Sequence, residues 1–227
     1  MDSVMARFRT LVPAGCLLLA LSPAAAAADV LYTDVTNGQF AGTAYSAVGW
    51  ADYDRDDDLD VLITGATGTH MYGNEGGGVF TDLGSIGLPN VSEGGLAWGD
   101  YDRDLDLDLL LTGSTNGSPA GTVFRIYNNN GVGVLSLLSV PGFNGLYQGP
   151  AIWGEYEHDG DLDLLYAGMT VSGLNTVRVT QLGYRQGSTF MPDFIHTLPG
   201  TQYGAAAYAD YDGDGHRDLL LTGVTST

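Results

Sequence analysis

The chain has 227 residues, with 27 Asp plus Glu against 8 Lys plus Arg, a formal net charge of −19 and a pI near 4.1. Its 44% hydrophobic and 10% aromatic content exceeds what a disordered acidic tail carries, while the charge excludes nucleic-acid or anionic-membrane binding through basic patches. Glycine, at 34 residues, is about twice its usual share, which favours tight turns and strands over helices.

In chain order, residues 1–28 read as a secretory signal peptide: Arg7 and Arg9, an apolar run over 11–21, and an alanine stretch over 24–28 before Asp29. Pro13, Gly15 and Pro23 interrupt the run, so a membrane-inserted span is not expected. The mature protein is then secreted, periplasmic or on the cell surface. The single cysteine, Cys16, falls in this leader, leaving neither disulfides nor thiolate chemistry downstream. Residues 30–36 read as an outer strand.

The rest, 29–227, is one repeat domain. WADYDRDDDLDVLITG (50–65), WGDYDRDLDLDLLLTG (98–113), WGEYEHDGDLDLLYAG (153–168) and YADYDGDGHRDLLLTG (208–223) align, with first acids 48, 55 and 55 residues apart. Such a period, carrying short apolar strands and glycine turns, predicts propeller blades of four antiparallel strands. The units span about 47–94, 95–149, 150–204 and 205–227. In the first, strands are expected at 47–50, 59–64, 69–73 and 79–83, with a glycine turn at 74–78. The second repeats this with 122–127, a turn at 128–133, and 134–140; the third has outer strands at 176–181 and 190–196. The fourth reaches only the strand at 219–222. The fold class is therefore all-β, three whole four-stranded units plus a partial fourth, an incomplete or open propeller.

Twenty of the 27 acids lie in four nine-residue stretches, 52–60, 100–108, 155–163 and 210–218. Each puts side-chain oxygens at positions 1, 3, 5 and 9: Asp52, Asp54, Asp56, Asp60; Asp100, Asp102, Asp104, Asp108; Glu155, Glu157, Asp159, Asp163; and Asp210, Asp212, Asp214, Asp218. Position 7, occupied by Asp58, Asp106, Asp161 and His216, offers its backbone carbonyl. Carboxylates converging on one point repel unless a cation sits there, and this many hard oxygens suits Ca²⁺ better than Mg²⁺ or Zn²⁺. Up to four Ca²⁺ are expected, with loops 210–218 and 52–60 the best formed. Position 6 favours glycine, supplied only by Gly160 and Gly215; Leu105 should be strained, and the longer Glu155 and Glu157 should displace the ion or admit water.

These loops, the Trp-Ala-Asp or Trp-Gly-Asp before them, and MYGNEGGGVFTDL (71–83) resemble the FG-GAP/VCBS repeats of integrin-α-like β-propellers. The resemblance covers nearly all of 30–227. It implies a propeller with Ca²⁺ between the first and second strands of each blade, in secreted or surface proteins engaged in adhesion and recognition. Rings of this family resemble seven blades, so three arrangements are open: part of a longer propeller, an open arc that self-assembles, or a small closed ring. Pairing of 30–36 with the fourth unit could complete that unit in part.

Trp50, Trp98, Trp153 and Tyr208 precede the loops and are expected to pack between blades. His158 and His216 are expected to face solvent. No nucleophile elbow or phosphate-binding glycine loop is present, and Arg125, Arg178 and Arg185 are scattered, so no catalytic residue is assigned. The expected function is an exported calcium-binding module recognising a protein or carbohydrate. The alternative is the propeller part of a secreted polysaccharide lyase or hydrolase.

Overall fold

The second strand of each repeat is a continuous apolar run, where a half-solvated strand would alternate, a pattern suited to cover on both faces. The computed structural model, which describes residues 19–21, 32–34, 36 and 38–225, shows how. Its strands are β1 (Leu19–Leu21), β2 (Tyr32–Asp34), β3 (Ala47–Ala51), β4 (Asp60–Gly65), β5 (Gly68–Asn74), β6 (Phe80–Gly84), β7 (Leu96–Gly99), β8 (Asp108–Ser114), β9 (Thr122–Asn129), β10 (Leu135–Leu138), β11 (Ala151–Gly154), β12 (Asp163–Ser172), β13 (Asn175–Gln186), β14 (Thr189–Asp193), β15 (Thr201–Gln202), β16 (Ala206–Ala209), β17 (Asp218–Leu221) and β18 (Val224–Thr225). Three four-stranded antiparallel meanders, β3–β6, β7–β10 and β11–β14, are the whole blades, and β16–β17 is the partial fourth. Among the described residues no helix is long and apolar enough to cross a membrane.

The inner strands β3, β7, β11 and β16 stand side by side, so the blades stack face to face. Strand alternation splits each second strand between two cores. Leu109 and Leu111 of β8 pack with Leu62, Met71 and Tyr53 of the first blade. Leu110, between them, packs with Phe124, Leu164, Tyr166 and Phe190 toward the third. All of β4 and β8 is buried. Full burial of each such side chain is worth about 1.5–3 kcal/mol.

Aromatic side chains of one inner strand close onto glycines of the preceding one. A Cβ on Gly99 would sit 2.6 Å from the Trp153 ring, and one on Gly154 would sit 2.1 Å from the Tyr208 ring. Trp153 also donates its indole N–H to the Ala97 carbonyl at 3.1 Å. The expected interblade packing of these aromatics holds, except that Trp50 heads the first blade and is 42% exposed. Phe40 covers that blade's other face, packing on Val61, Ile63 and Tyr72. The Ala41 amide holds it there by donating to the Tyr72 hydroxyl at 3.1 Å.

Three expectations need correction. Residues 32–34 pair with Leu19–Leu21 and not with the fourth unit, a nearby partner whose loop closes at lower entropic cost. The other leader positions lie outside the described residues. The third unit's strand is longer than 176–181: β12 and β13 extend into a hairpin turned at Gly173, with Leu174 fully exposed at its tip. Its outer strand stops at Asp193, whose carboxylate accepts the amides of Ile195 and His196 at 2.7 and 3.1 Å and turns the chain out.

β16–β17 carries no covering blade among the described residues, leaving Tyr211 81% and Leu220 67% exposed. The described blades therefore form an open arc.

The close glycine contacts make the seams sensitive to one methyl group. Gly154→Ala should lower unfolding stability by about 1–3 kcal/mol in urea titrations, as overpacking displaces Tyr208.

Candidate metal centre

Each acidic loop joins a first strand to a second, and its closing carboxylate is also a structural staple. Asp60 Oδ2 accepts the Tyr53 amide at 3.0 Å and Oδ1 the Asn74 amide at 2.8 Å, tying the loop to β5. Asp108 does the same with Tyr101 (3.1 Å) and Asn129 (2.9 Å), and Asp163 with Tyr156 (2.9 Å) and Arg185 (3.2 Å). Asp218 accepts the Tyr211 amide at 3.1 Å. Asp60, Asp108 and Asp163 are buried.

The position-1 acid organises the turn. Asp52 accepts the amides of Asp56 (3.1 Å) and Asp57 (3.2 Å), Asp100 those of Asp104 and Leu105 (both 3.1 Å), and Asp210 those of Asp214 (3.1 Å) and Gly215 (3.0 Å). At position 5, Asp56, Asp104, Asp159 and Asp214 each accept the position-7 amide at 2.8–2.9 Å. Position 6 is left-handed as expected: Asp57 at φ 72°, Leu105 at φ 73°, Gly160 at φ 84° and Gly215 at φ 89°. The non-glycine residues hold that conformation at a steric cost.

Three loops bring carboxylates of positions 1, 3 and 9 together. Asp52, Asp54 and Asp60, then Asp100, Asp102 and Asp108, and Asp210, Asp212 and Asp218, each offer oxygens within 4.8 Å of one another. The third loop does not form this group: Glu155 Oε2 lies 3.7 Å from His158 Nδ1, while its Oε1 is buried without a hydrogen-bond partner. One oxygen of Asp54 is buried without a hydrogen-bond partner. Burial raises the pKa of Asp54, Asp60, Asp102 and Asp163, and also that of Glu157. It pushes Asp108 up to about 7, with Asp102 and Asp104 adding to the rise and the Asn129 and Tyr101 amides opposing it. Clustered, desolvated carboxylates with an orphaned oxygen are the donor set a hard divalent cation takes.

The loop arginines do not supply the balancing charge. Arg55 reaches across the seam to Asp106 at 3.0 Å, and Arg103 to Asp161 at 2.9 Å, while also donating to the Gly160 carbonyl. Position 4 of one loop thus clasps position 7 of the next, and Asp161 also lies 3.4 Å from Arg185 of its own blade. At the third seam the same positions hold His158 and His216, their Nδ1 atoms 3.3 Å apart. These two face each other and not simply solvent. The clasps escaped sequence reasoning, although the recurrence of Arg at position 4 before an acid at position 7 was visible.

Comparisons with known proteins bear on the repeat and the fold. Residues 52–111 match the family model described as an FG-GAP-like repeat. That segment runs from the first acid of one loop through the second loop into β8, so it contains two of the three carboxylate groups. A solved lectin from Agrocybe aegerita, described as specifically recognising non-reducing terminal N-acetylglucosamine, shares the fold with a TM-score of 0.54 at 18% identity. The match covers 84% of this chain and 51% of the lectin, so the chain spans about half that protein's length. A search of curated proteins returns no match.

The raised carboxylate pKa values give a signed pH dependence. Asp108 prefers its protonated form in the metal-free fold, so its stabilising effect is full below the unfolded value of 3.8 and is lost as pH rises through about 7. In chelator, the melting temperature should fall between about pH 5 and pH 7.5. With excess Ca²⁺, which favours ionised ligands, that slope should flatten or reverse.

Proposed function

We propose that this chain is an exported, calcium-stabilised propeller module that recognises a carbohydrate or protein partner and carries out no catalysis of its own. The observation that carries the metal part is the convergence of positions 1, 3 and 9 in three loops, in two of which the loop arginine, Arg55 or Arg103, pairs with the next loop instead of its own. Loops 52–60, 100–108 and 210–218 would hold Ca²⁺ through these carboxylates, the position-5 acid and the position-7 carbonyl. The third loop, with Glu155 drawn toward His158, would hold it weakest. This ranking raises loop 100–108 above its expected place, because the left-handed Leu105 is accommodated without dispersing the carboxylates.

The recognition part is supported by the propeller architecture shared with a lectin and by the FG-GAP-like repeat. Export is supported by the leader pattern of residues 1–28. Extracellular modules commonly bind Ca²⁺ with Kd of about 10⁻⁴–10⁻³ M, the range in which these exposed loops would operate.

Calorimetric melting of the chain in EDTA and in millimolar Ca²⁺ tests the metal reading. Each site filled at about 10 times its Kd should add about 1.4 kcal/mol of stability, and unchanged melting would sink the reading. In isothermal titration, Asp54→Asn and Asp102→Asn should each remove about one equivalent of bound Ca²⁺. Asp159→Asn should leave the stoichiometry unaltered. A glycan array probed with Ca²⁺-loaded protein tests carbohydrate recognition, and binding abolished by EDTA is the expected outcome.

A further inference from the structure

At the end of the inner strands opposite the acidic loops, four residues occupy one repeat position, seven places before the first acid of each loop: Tyr45, Glu93, Gln148 and Tyr203. All four are left-handed, at φ 55°, 53°, 63° and 54°. Their backbones form a ladder across the blades. The Glu93 amide donates to the Tyr45 carbonyl at 2.9 Å, Gln148 donates to Glu93, and Tyr203 donates to Gln148 at 2.6 Å. Beside the ladder, the Gln148 side-chain amide donates to Glu93 Oε2, and its own Oε1 accepts from Gln202 at 3.5 Å.

The backbone here asks for glycine, and the chain is rich in it. Position 4 of the loops becomes Gly213 in the fourth copy, and position 6 becomes Gly160 and Gly215, yet this position is glycine in none of its four copies. Left-handed tyrosine, glutamate and glutamine are strained, and such strain is retained where a side chain is needed. All four side chains line one open cavity of about 470 Å³, within the size range of small-molecule sites. Tyr45 and Tyr203 are 68% and 66% exposed there.

We propose that this cavity is a saccharide site for a neutral pyranose. Glu93 Oε1 accepts hydroxyl protons, the Gln148 amide holds Glu93 in place, and the Tyr45 and Tyr203 rings offer apolar faces for the C–H face of the sugar. The cavity carries a single carboxylate and no cation, which disfavours uronates and other anionic sugars. This assignment rests on the carbohydrate branch of the recognition reading and locates it away from the metal loops.

Isothermal titration of the full chain in Ca²⁺ with the methyl glycosides of N-acetylglucosamine, glucose, galactose and mannose tests it. At least one should bind, galacturonate should not, and E93Q and Y203A should each weaken binding at least tenfold without altering Ca²⁺-dependent melting. L174A, at the distant hairpin tip, should bind as the parent does. E93Q keeps the test decisive if Y203A lowers stability, because it preserves size and an acceptor. Binding undiminished in both variants would overturn the site while leaving carbohydrate recognition elsewhere on the chain. Absence of binding to every glycoside at 10 mM, with melting intact, would also overturn it and leave recognition of a protein partner.

Discussion

A buried carboxylate that closes each acidic loop is the interaction on which the blade depends. Asp60, Asp108 and Asp163 each accept one amide from their own loop and one from the third strand, so a single side chain fixes the loop's closure and the pairing of the sheet beyond it. Burying the charge is costly, and Asp108 shows this in its rise to about 7. Two amide donors offset part of the cost, and a bound cation would offset more. Among the described residues the fourth copy's sheet holds two strands, and there Asp218 accepts the Tyr211 amide in a more exposed loop.

Stacking the blades uses two devices of different strength. The inner seam is apolar: Trp98, Trp153 and Tyr208 close onto Gly49, Gly99 and Gly154, where any Cβ would collide. The rim is polar, with Arg55–Asp106 and Arg103–Asp161 linking successive loops. Both arginines are more than half exposed, which screens the pairs and leaves them serving register more than stability, although Asp106 itself is buried. The third seam replaces them with facing histidines, keeping the geometry without the opposite charges.

The two ends of the inner strands are chemically distinct because the chain enters and leaves each strand differently. The exit turn must wrap several amides about one point, which favours aspartate. The entry turn crosses from one blade to the next and is held by the ladder from Tyr45 to Tyr203, leaving its side chains free to face a cavity. Metal chemistry and partner recognition can therefore occupy opposite faces of one scaffold, sharing rigidity without sharing ligands.

The repeat period, the all-β class, the strand order and the identity of the acidic loops were legible in the sequence because each repeats, and repetition separates a structural requirement from chance. Some features required the fold. Asp106 and Asp161 look like further loop acids but pair with Arg55 and Arg103 of the preceding blade, Asp161 also with Arg185 of its own, and these partners lie 24 to 58 residues away. That Glu155, one methylene longer than aspartate, disturbs the third loop was expected from its length, but its position beside His158 required the fold. Tyr45, Glu93, Gln148 and Tyr203 share no chemical type, so their equivalence is invisible until the backbone shows one left-handed conformation and one ladder. Local pattern alone determined what each blade is, because strand period and loop spacing act within a few residues. Which side chains meet was decided by the tertiary structure, because those contacts join residues a whole repeat apart.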